Sequence, residues 1–238
     1  MADGIYVSMC GAVTRADQLE AIADNLANAQ TPGFKAARPA FESFVAQGSG
    51  EAQDKHYPAA VATGFDLRPG PTTRTGNPLD LVPGDGLYLT VSTPSGATAY
   101  TRDGRLTLDA EGRLVSGGRP VLDDGGSPIT IPPEATPRID ARGSVWAGNT
   151  VMADLGLAQL SGPVDRVGPS LLAPGTGGRA VPAEEPMVRV GELELGNASA
   201  LEAAVQLVTA QRAYEASMQA IQTYQKIDQR AVEVARVK

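Results

Sequence analysis

The chain has 238 residues, 42% hydrophobic but only 5% aromatic, with Lys+Arg 20 against Asp+Glu 27 and a net charge of −7. That length and apolar share suit one or two folded domains and argue against wholesale disorder. The acidic balance, with no Lys/Arg cluster, excludes a phosphate-neutralising nucleic-acid binder, and the single cysteine, Cys10, excludes an internal disulfide framework.

The first predicted element is a helix over residues 4–29, free of Pro and with Gly only near its start. Ile5, Ala12, Leu19 and Leu26 recur every seven residues; Met9, Ala16 and Ala23 interleave with them, and Ile22 lies beside them. A sustained seven-residue apolar repeat is the mark of a coiled-coil seam. Ile5, Met9, Ala12, Leu19, Ile22 and Leu26 are therefore the expected N-terminal assembly seam. Cys10, among small apolar residues, reads as a buried thiol. Residues 1–11 carry neither the basic nor the apolar region of a cleaved secretory signal, and no run approaches the ~18 apolar residues of a membrane span. Thr31-Pro32-Gly33 stops the helix, because Pro cannot continue it and Gly tolerates the turn.

Residues 46–60, with Gly48-Ser49-Gly50, read as a flexible linker between a first segment, 1–45, and a central β domain, 61–196. There the texture changes to short runs of β-formers punctuated by Gly, Pro, Asn and Asp. Leu87-Tyr88-Leu89-Thr90-Val91 precedes the turn residues Pro94-Ser95-Gly96. Ala99-Tyr100-Thr101 is followed by Asp103-Gly104, a two-residue hairpin signal, and then by Leu106-Thr107-Leu108. Further runs at Leu114, Val121, Ile129, Val145 and Leu155, at spacings of about 8–12 residues, predict an antiparallel sandwich or barrel. Residues 171–186, rich in Gly and Pro, read as a surface loop or second linker.

The last segment, 197–238, contains a long predicted helix, since residues 199–236 hold neither Gly nor Pro. Asn197 or Ser199 caps its start. Leu201, Val205, Val208, Tyr214, Met218, Ile221 and Ile227 follow one another as a slightly drifting stripe on one face, the expected C-terminal assembly seam. A helix of about 38 residues is about 57 Å long. A β domain of about 140 residues is only about 40 Å across, judged from its radius of gyration. The helix would overhang its own domain, and an apolar stripe of that length marks an interaction surface. The expected fold is thus α+β, with N- and C-terminal helices forming a coiled-coil-like helical domain and a central antiparallel all-β domain.

No catalytic, cofactor or metal site is expected. The one histidine, His56, lies in the linker stretch, and with a single cysteine it offers no metal site. It also lacks a Gly-x-Ser-x-Gly elbow. Gly84-Asp85-Gly86 misses the third glycine of a dinucleotide fingerprint and reads as a turn; Asp123-Asp124-Gly125-Gly126 lacks the Glu of a calcium loop.

Three segments nevertheless carry a resemblance. Asp24-Asn25-Leu26-Ala27-Asn28-Ala29-Gln30-Thr31-Pro32-Gly33-Phe34-Lys35 resembles the N-terminal signature of bacterial flagellar axial proteins, the rod and hook family, with Asp24 where Asn is usual. Thr75-Gly76-Asn77-Pro78-Leu79-Asp80-Leu81 and Tyr100-Thr101-Arg102-Asp103-Gly104 are similar to its central region, and Ala210-Gln211-Arg212-Ala213-Tyr214-Glu215-Ala216 to its C-terminal helix. Asn25, Leu26, Asn28, Thr31, Gly33 and Phe34 are the signature positions. Length and the start Ile5-Tyr6-Val7-Ser8-Met9 look most like the proximal-rod branch, with the distal rod and hook as alternatives.

The resemblance implies a non-enzymatic subunit that binds copies of itself and neighbouring rod proteins. It also implies passage through the flagellar type III export apparatus without signal cleavage, and a place in the periplasmic rod, with no membrane insertion and no cofactor. Two other readings compete: an adaptor docking a different partner through its end helices, and a cell-wall hydrolase.

Overall fold

The structure, a computed structural model, describes residues 2–46 and 55–236. Residues 47–54, the middle of the expected linker, and the side chain of Ile5 lie outside the described residues. Helix α1 is Ala2–Ala27 and α2 is Ala200–Arg236. Between them run Ala37–Ala46 (β1), Lys55–Phe65 (β2), Thr72–Arg74 (β3), Leu81–Pro83 (β4), Leu87–Ser92 (β5), Thr98–Thr101 (β6), Leu106–Leu108 (β7), Leu114–Ser116 (β8) and Arg119–Pro120 (β9). Then follow Pro137–Ile139 (β10), Ser144–Ala147 (β11), Thr150–Asp154 (β12), Leu157–Ser161 (β13), Val164–Gly168 (β14), Leu171–Pro174 (β15), Arg179–Pro182 (β16), Val188–Val190 (β17) and Glu192–Glu194 (β18).

The chain divides into two compact units. One holds α1, α2 and the paired strands β1 and β2; the other spans Asn28–Ala36 and Phe65–Ala198. The architecture is α+β, with helices at both ends and a central antiparallel β region.

The β unit is organised on a six-stranded sheet in the order β14-β15-β6-β5-β13-β16. Every neighbouring pair in it is antiparallel. Leu89 on β5 faces Thr101 on β6 and Leu157 on β13, so one row of side chains crosses the sheet towards the core. Smaller sheets, β7-β8-β9, β10-β11-β12, β4 with β17 and β3 with β18, complete the unit. Leu81, Leu89, Val91, Leu114, Val121 and Val145 are wholly buried within one continuous apolar cluster. Each contributes about 1.5–3 kcal/mol by leaving water, so the unit closes its core with aliphatic residues.

Two sequence expectations fail here for physical reasons. Asp103-Gly104 joins no hairpin, because β6 belongs to the six-stranded sheet while β7 pairs with β8. A two-residue hairpin of that type needs positive φ, which Gly104 lacks. The glycine serves close approach instead: a Cβ there would lie 1.6 Å from the Leu81 carbonyl oxygen. The Gly/Pro-rich stretch 171–186 is not a linker either. Its β15 and β16 are strands of the main sheet, with Leu171 and Leu172 buried, and β16 sits at the edge where Pro182 removes no needed donor. His56, expected in a linker, lies in β2.

The described part of the helical unit has a smaller buried cluster. Among the described residues Ile22, Ala203 and Ala210 form its buried apolar cluster, with Leu19, Leu26 and Leu207 packed around them. Ser199 caps α2, its Oγ accepting from the Glu202 N–H at 3.3 Å. Asn197, the other candidate cap, is used elsewhere, as described below. No helix among the described residues is long and apolar enough to cross a membrane.

Candidate assembly interface

The signature positions divide between the two units. In the helical unit, Asn25 at the end of α1 donates from Nδ2 to the Ala37 carbonyl at 2.9 Å and accepts at Oδ1 from the Ala37 N–H at 2.7 Å. Only a side-chain amide offers donor and acceptor at that spacing, so Asn25 imitates one rung of a β ladder for the first residue of β1.

In the β unit, Asn28, Thr31, Gly33 and Phe34 build a turn. The Thr31 N–H donates to the Asn28 carbonyl at 2.9 Å and its hydroxyl to Asn28 Oδ1 at 3.2 Å. Gly33 has φ +70°, and a Cβ there would stand 2.2 Å from the Asp103 backbone nitrogen. Both the dihedral and the space demand glycine. The Gly33 N–H donates to the Glu194 carbonyl at 2.9 Å. Phe34 is wholly buried, and the Arg166 guanidinium stacks over it at 4.6 Å and over Phe65 at 4.7 Å while donating to the Lys35 carbonyl. Asn197 closes the arrangement, accepting from the Ala36 N–H at 2.7 Å and donating to the carbonyls of Asp66 and Arg68.

Beneath this turn lies a buried charge cluster. Lys35 Nζ donates to Glu194 Oε1 at 2.7 Å and to the Arg68 carbonyl at 2.8 Å. Arg102 Nε donates to Glu194 Oε2 at 2.7 Å, and its remaining nitrogens reach the carbonyls of Pro83, Gly84 and Leu87. The Gly70 N–H adds a third donor to the carboxylate at 3.0 Å. Glu194 is 0% exposed and both cations 2%.

Burial alone would raise the Glu194 pKa. The hydrogen bonds and charge of Arg102, with help from Gly70 and Lys35, outweigh it and hold the carboxyl below its ordinary value. Burial lowers the Lys35 pKa, and Glu194 offsets part of that. Burial likewise raises Tyr88, whose ring lies 5.7 Å from the Arg102 guanidinium carbon. Such a cluster fixes geometry; it leaves no accessible acid or base for catalysis. Among the described residues, no group of three or more His, Cys, Asp or Glu is placed to hold a metal ion.

The helices carry two kinds of face. On α1, Ala12 and Ile22 are buried and Leu19 and Leu26 half-buried, all towards the interior of the helical unit. Met9, Val13, Ala16, Glu20, Ala23 and Ala27 follow at steps of four and three, and every one is exposed, Met9 by 49% and Val13 by 62%. On α2, Ala203, Leu207, Ala210, Tyr214, Ser217 and Ile221, again at steps of four and three, are buried or half-buried.

Leu201, Val205 and Val208 are 79%, 61% and 52% exposed. At 100° per residue they lie on the side of α2 opposite Ala203 and Ala210. The single drifting stripe read from the sequence is therefore two stripes, an inner one shared with α1 and an outer one open to solvent. Met218 and Ile227 are also exposed, while Cys10 is half-buried. Sequence reasoning missed Glu194 altogether: one acid in Glu192-Leu193-Glu194 carries no local mark of burial.

Three family models match successive parts of the chain. They are "Flagella basal body rod protein" over residues 5–35, "Flagellar hook protein FlgE/F/G D1 domain" over 81–147 and "Flagellar basal body rod FlgEFG protein C-terminal" over 189–234. The chain is 31% identical to the flagellar basal-body rod protein FlgF of Mesorhizobium japonicum over 90% of both chains. In Caulobacter vibrioides it is 31% identical to FlgF over 98% of both chains, and 32% identical to FlgG over 86% of this chain and 88% of that one.

Proposed function

The chain belongs to the flagellar basal-body rod protein family and is most like its FlgF members, and from that premise we propose that it is a structural subunit of the rod in the flagellar basal body. It assembles through its terminal helices with copies of itself and neighbouring rod proteins, and the assembled rod carries torque from motor to hook. The helices act as a coiled-coil-like inner element. It reaches its place through the flagellar type III export apparatus and performs no catalysis.

One observation carries this reading. Among the described residues the helical unit buries few large side chains, yet leaves Leu201, Val205 and Val208 in water on the far side of α2. Covering each of those side chains contributes about 1.5–3 kcal/mol, which the isolated chain forgoes and an assembly recovers. The proposed seam comprises an inner set, Ala12, Leu19, Ile22, Leu26, Tyr214 and Ile221, and an outward set, Met9, Leu201, Val205, Val208, Met218 and Ile227.

The test is the double substitution Val205→Asp with Val208→Asp. Because both side chains are exposed, the folded chain keeps its thermal midpoint, while the rod fails to assemble and cells stop swimming. Normal motility with a normal complement of rods would sink the proposal.

A further inference from the structure

The chain passes between its two units four times, after Ala27, Ala36, Gly64 and Ala198. On the β-unit side of those passages lie Asn28 and Ala29, Ala36, Asp66 to Arg68, and the dipeptide Gly196-Asn197. That dipeptide reaches all the others. Gly196 lies so close to Asn28 and Ala29 that a Cβ would stand 2.8 and 2.7 Å from their carbonyl oxygens, an approach that only glycine permits. The Asn197 N–H donates to the Phe34 carbonyl at 3.2 Å, and its Oδ1 accepts from the Ala36 N–H at 2.7 Å. Its Nδ2 donates to the Asp66 carbonyl at 2.7 Å and to the Arg68 carbonyl at 3.0 Å. The Asp66 N–H in turn donates to the Ala36 carbonyl at 2.9 Å.

Helix capping does not account for this set, because Ser199 already caps α2. An acceptor and two donors on one short planar group is what a side-chain amide supplies, whereas an aspartate lacks the donors. Residues 69–193, which hold the six-stranded sheet and its core, lie in the chain between the segments that are tied. They form a loop closed at its base by Gly196-Asn197, with Gly33 and Lys35 bonded to Glu194 beside it. Tension that enters at Asn28 and leaves at Ala198 crosses that base directly. The sheet is stretched only after the base has opened.

We infer that Gly196-Asn197 is a mechanical clamp, which carries tension between the two ends of the β unit and keeps it off the β core. The inference rests on the rod-subunit reading for the source of the tension, since a rod that carries torque loads its subunits. The clamp itself is a property of the single chain.

The test is constant-force pulling of the full chain in a Cys10→Ser background, with handles on exposed positions. Handles on Ala27→Cys and Ala200→Cys load the clamp, whereas handles on Ser95→Cys and Asn149→Cys load the core without it. Forced unfolding follows the unfolding rate along the pulled direction. Asn197→Ala removes three side-chain hydrogen bonds and is expected to shorten the lifetime in the first geometry at least about tenfold. It leaves the second geometry unchanged. Gly196→Ala, which pushes the dipeptide off the Asn28 and Ala29 carbonyls, gives the same split.

Equal shortening in both geometries overturns the inference, because Asn197 is then a general stabiliser. An unchanged lifetime in the first geometry overturns it too. Native fluorescence of Trp146 before pulling selects folded molecules of each variant. The pulling result does not depend on assembly, so its failure leaves the rod reading standing, and that reading is decided by motility of the Val205→Asp, Val208→Asp variant.

Discussion

The two units of this chain solve the same problem in opposite ways. The β unit closes a continuous aliphatic core and then buries three charges, satisfying the carboxylate with Lys35, Arg102 and the Gly70 N–H. Among its described residues the helical unit buries few large side chains and leaves other apolar faces in solvent. A buried ion pair adds little net stability over a well-packed apolar group, but removing one partner is costly. The β unit is thus closed around its own core at the signature turn, whereas the described helical faces leave Leu201, Val205 and Val208 uncovered. The difference teaches where to look for an interaction surface: in the region whose described apolar side chains stand open to solvent.

The largest effect that can break this comparison is Glu194→Ala, which strands two buried cations. We expect a loss of about 3–5 kcal/mol in the β unit, read as a drop in the denaturant midpoint followed by Trp146 fluorescence, with helix content outside that unit largely retained. The same carboxylate predicts a pH dependence. Its folded pKa lies below its ordinary value near 4.5, so its contribution is present above that value and disappears as pH falls through it towards the folded pKa. Glu194→Gln flattens that part of the stability profile; an unchanged profile would mean the cluster is neutral to folding.

Gly33→Ala comes next. It puts a side chain at φ +70° and into the Asp103 backbone, for about 1–3 kcal/mol from the dihedral alone. A thermal midpoint within a degree of the unsubstituted chain would show that the turn relaxes freely.

Asn25→Ala follows, removing the two bonds to Ala37 at about 1–2 kcal/mol. Faster hydrogen exchange at Ala37 is the sharper readout, and unchanged protection there would contradict the ladder-like role. At the small end lie Val205→Asp and Val208→Asp, expected within about 0.5 kcal/mol of the parent because both sites are surface-exposed. A large loss of stability there would mean the outer face is needed for folding rather than assembly.

Much of this was legible before any coordinates. The two helices, the turn at Thr31-Pro32-Gly33, the turn opening β5 at Gly84 and the strands around Leu89 and Ala99 follow from local rules, because helix period, strand alternation and turn chemistry act within a few residues. Residues 171–186 were misread because Gly and Pro signal loops locally, while edge position and closure of the main sheet decide whether a strand tolerates them. Gly104 was misread because its reason for being glycine, the Leu81 carbonyl, lies more than twenty residues away.

The sequence by itself thus determined the two helices and many of the central strands, that each helix carries an apolar stripe, and that three spaced motifs resemble one family. Only the tertiary structure decided which stripe on each helix turns inward, because periodicity defines a face but not its direction. Only it joined Glu194 to Lys35, 159 residues apart in the chain. Charge pairing of that kind depends on distance in space and on exclusion of water, and neither quantity is written in a local run of residues.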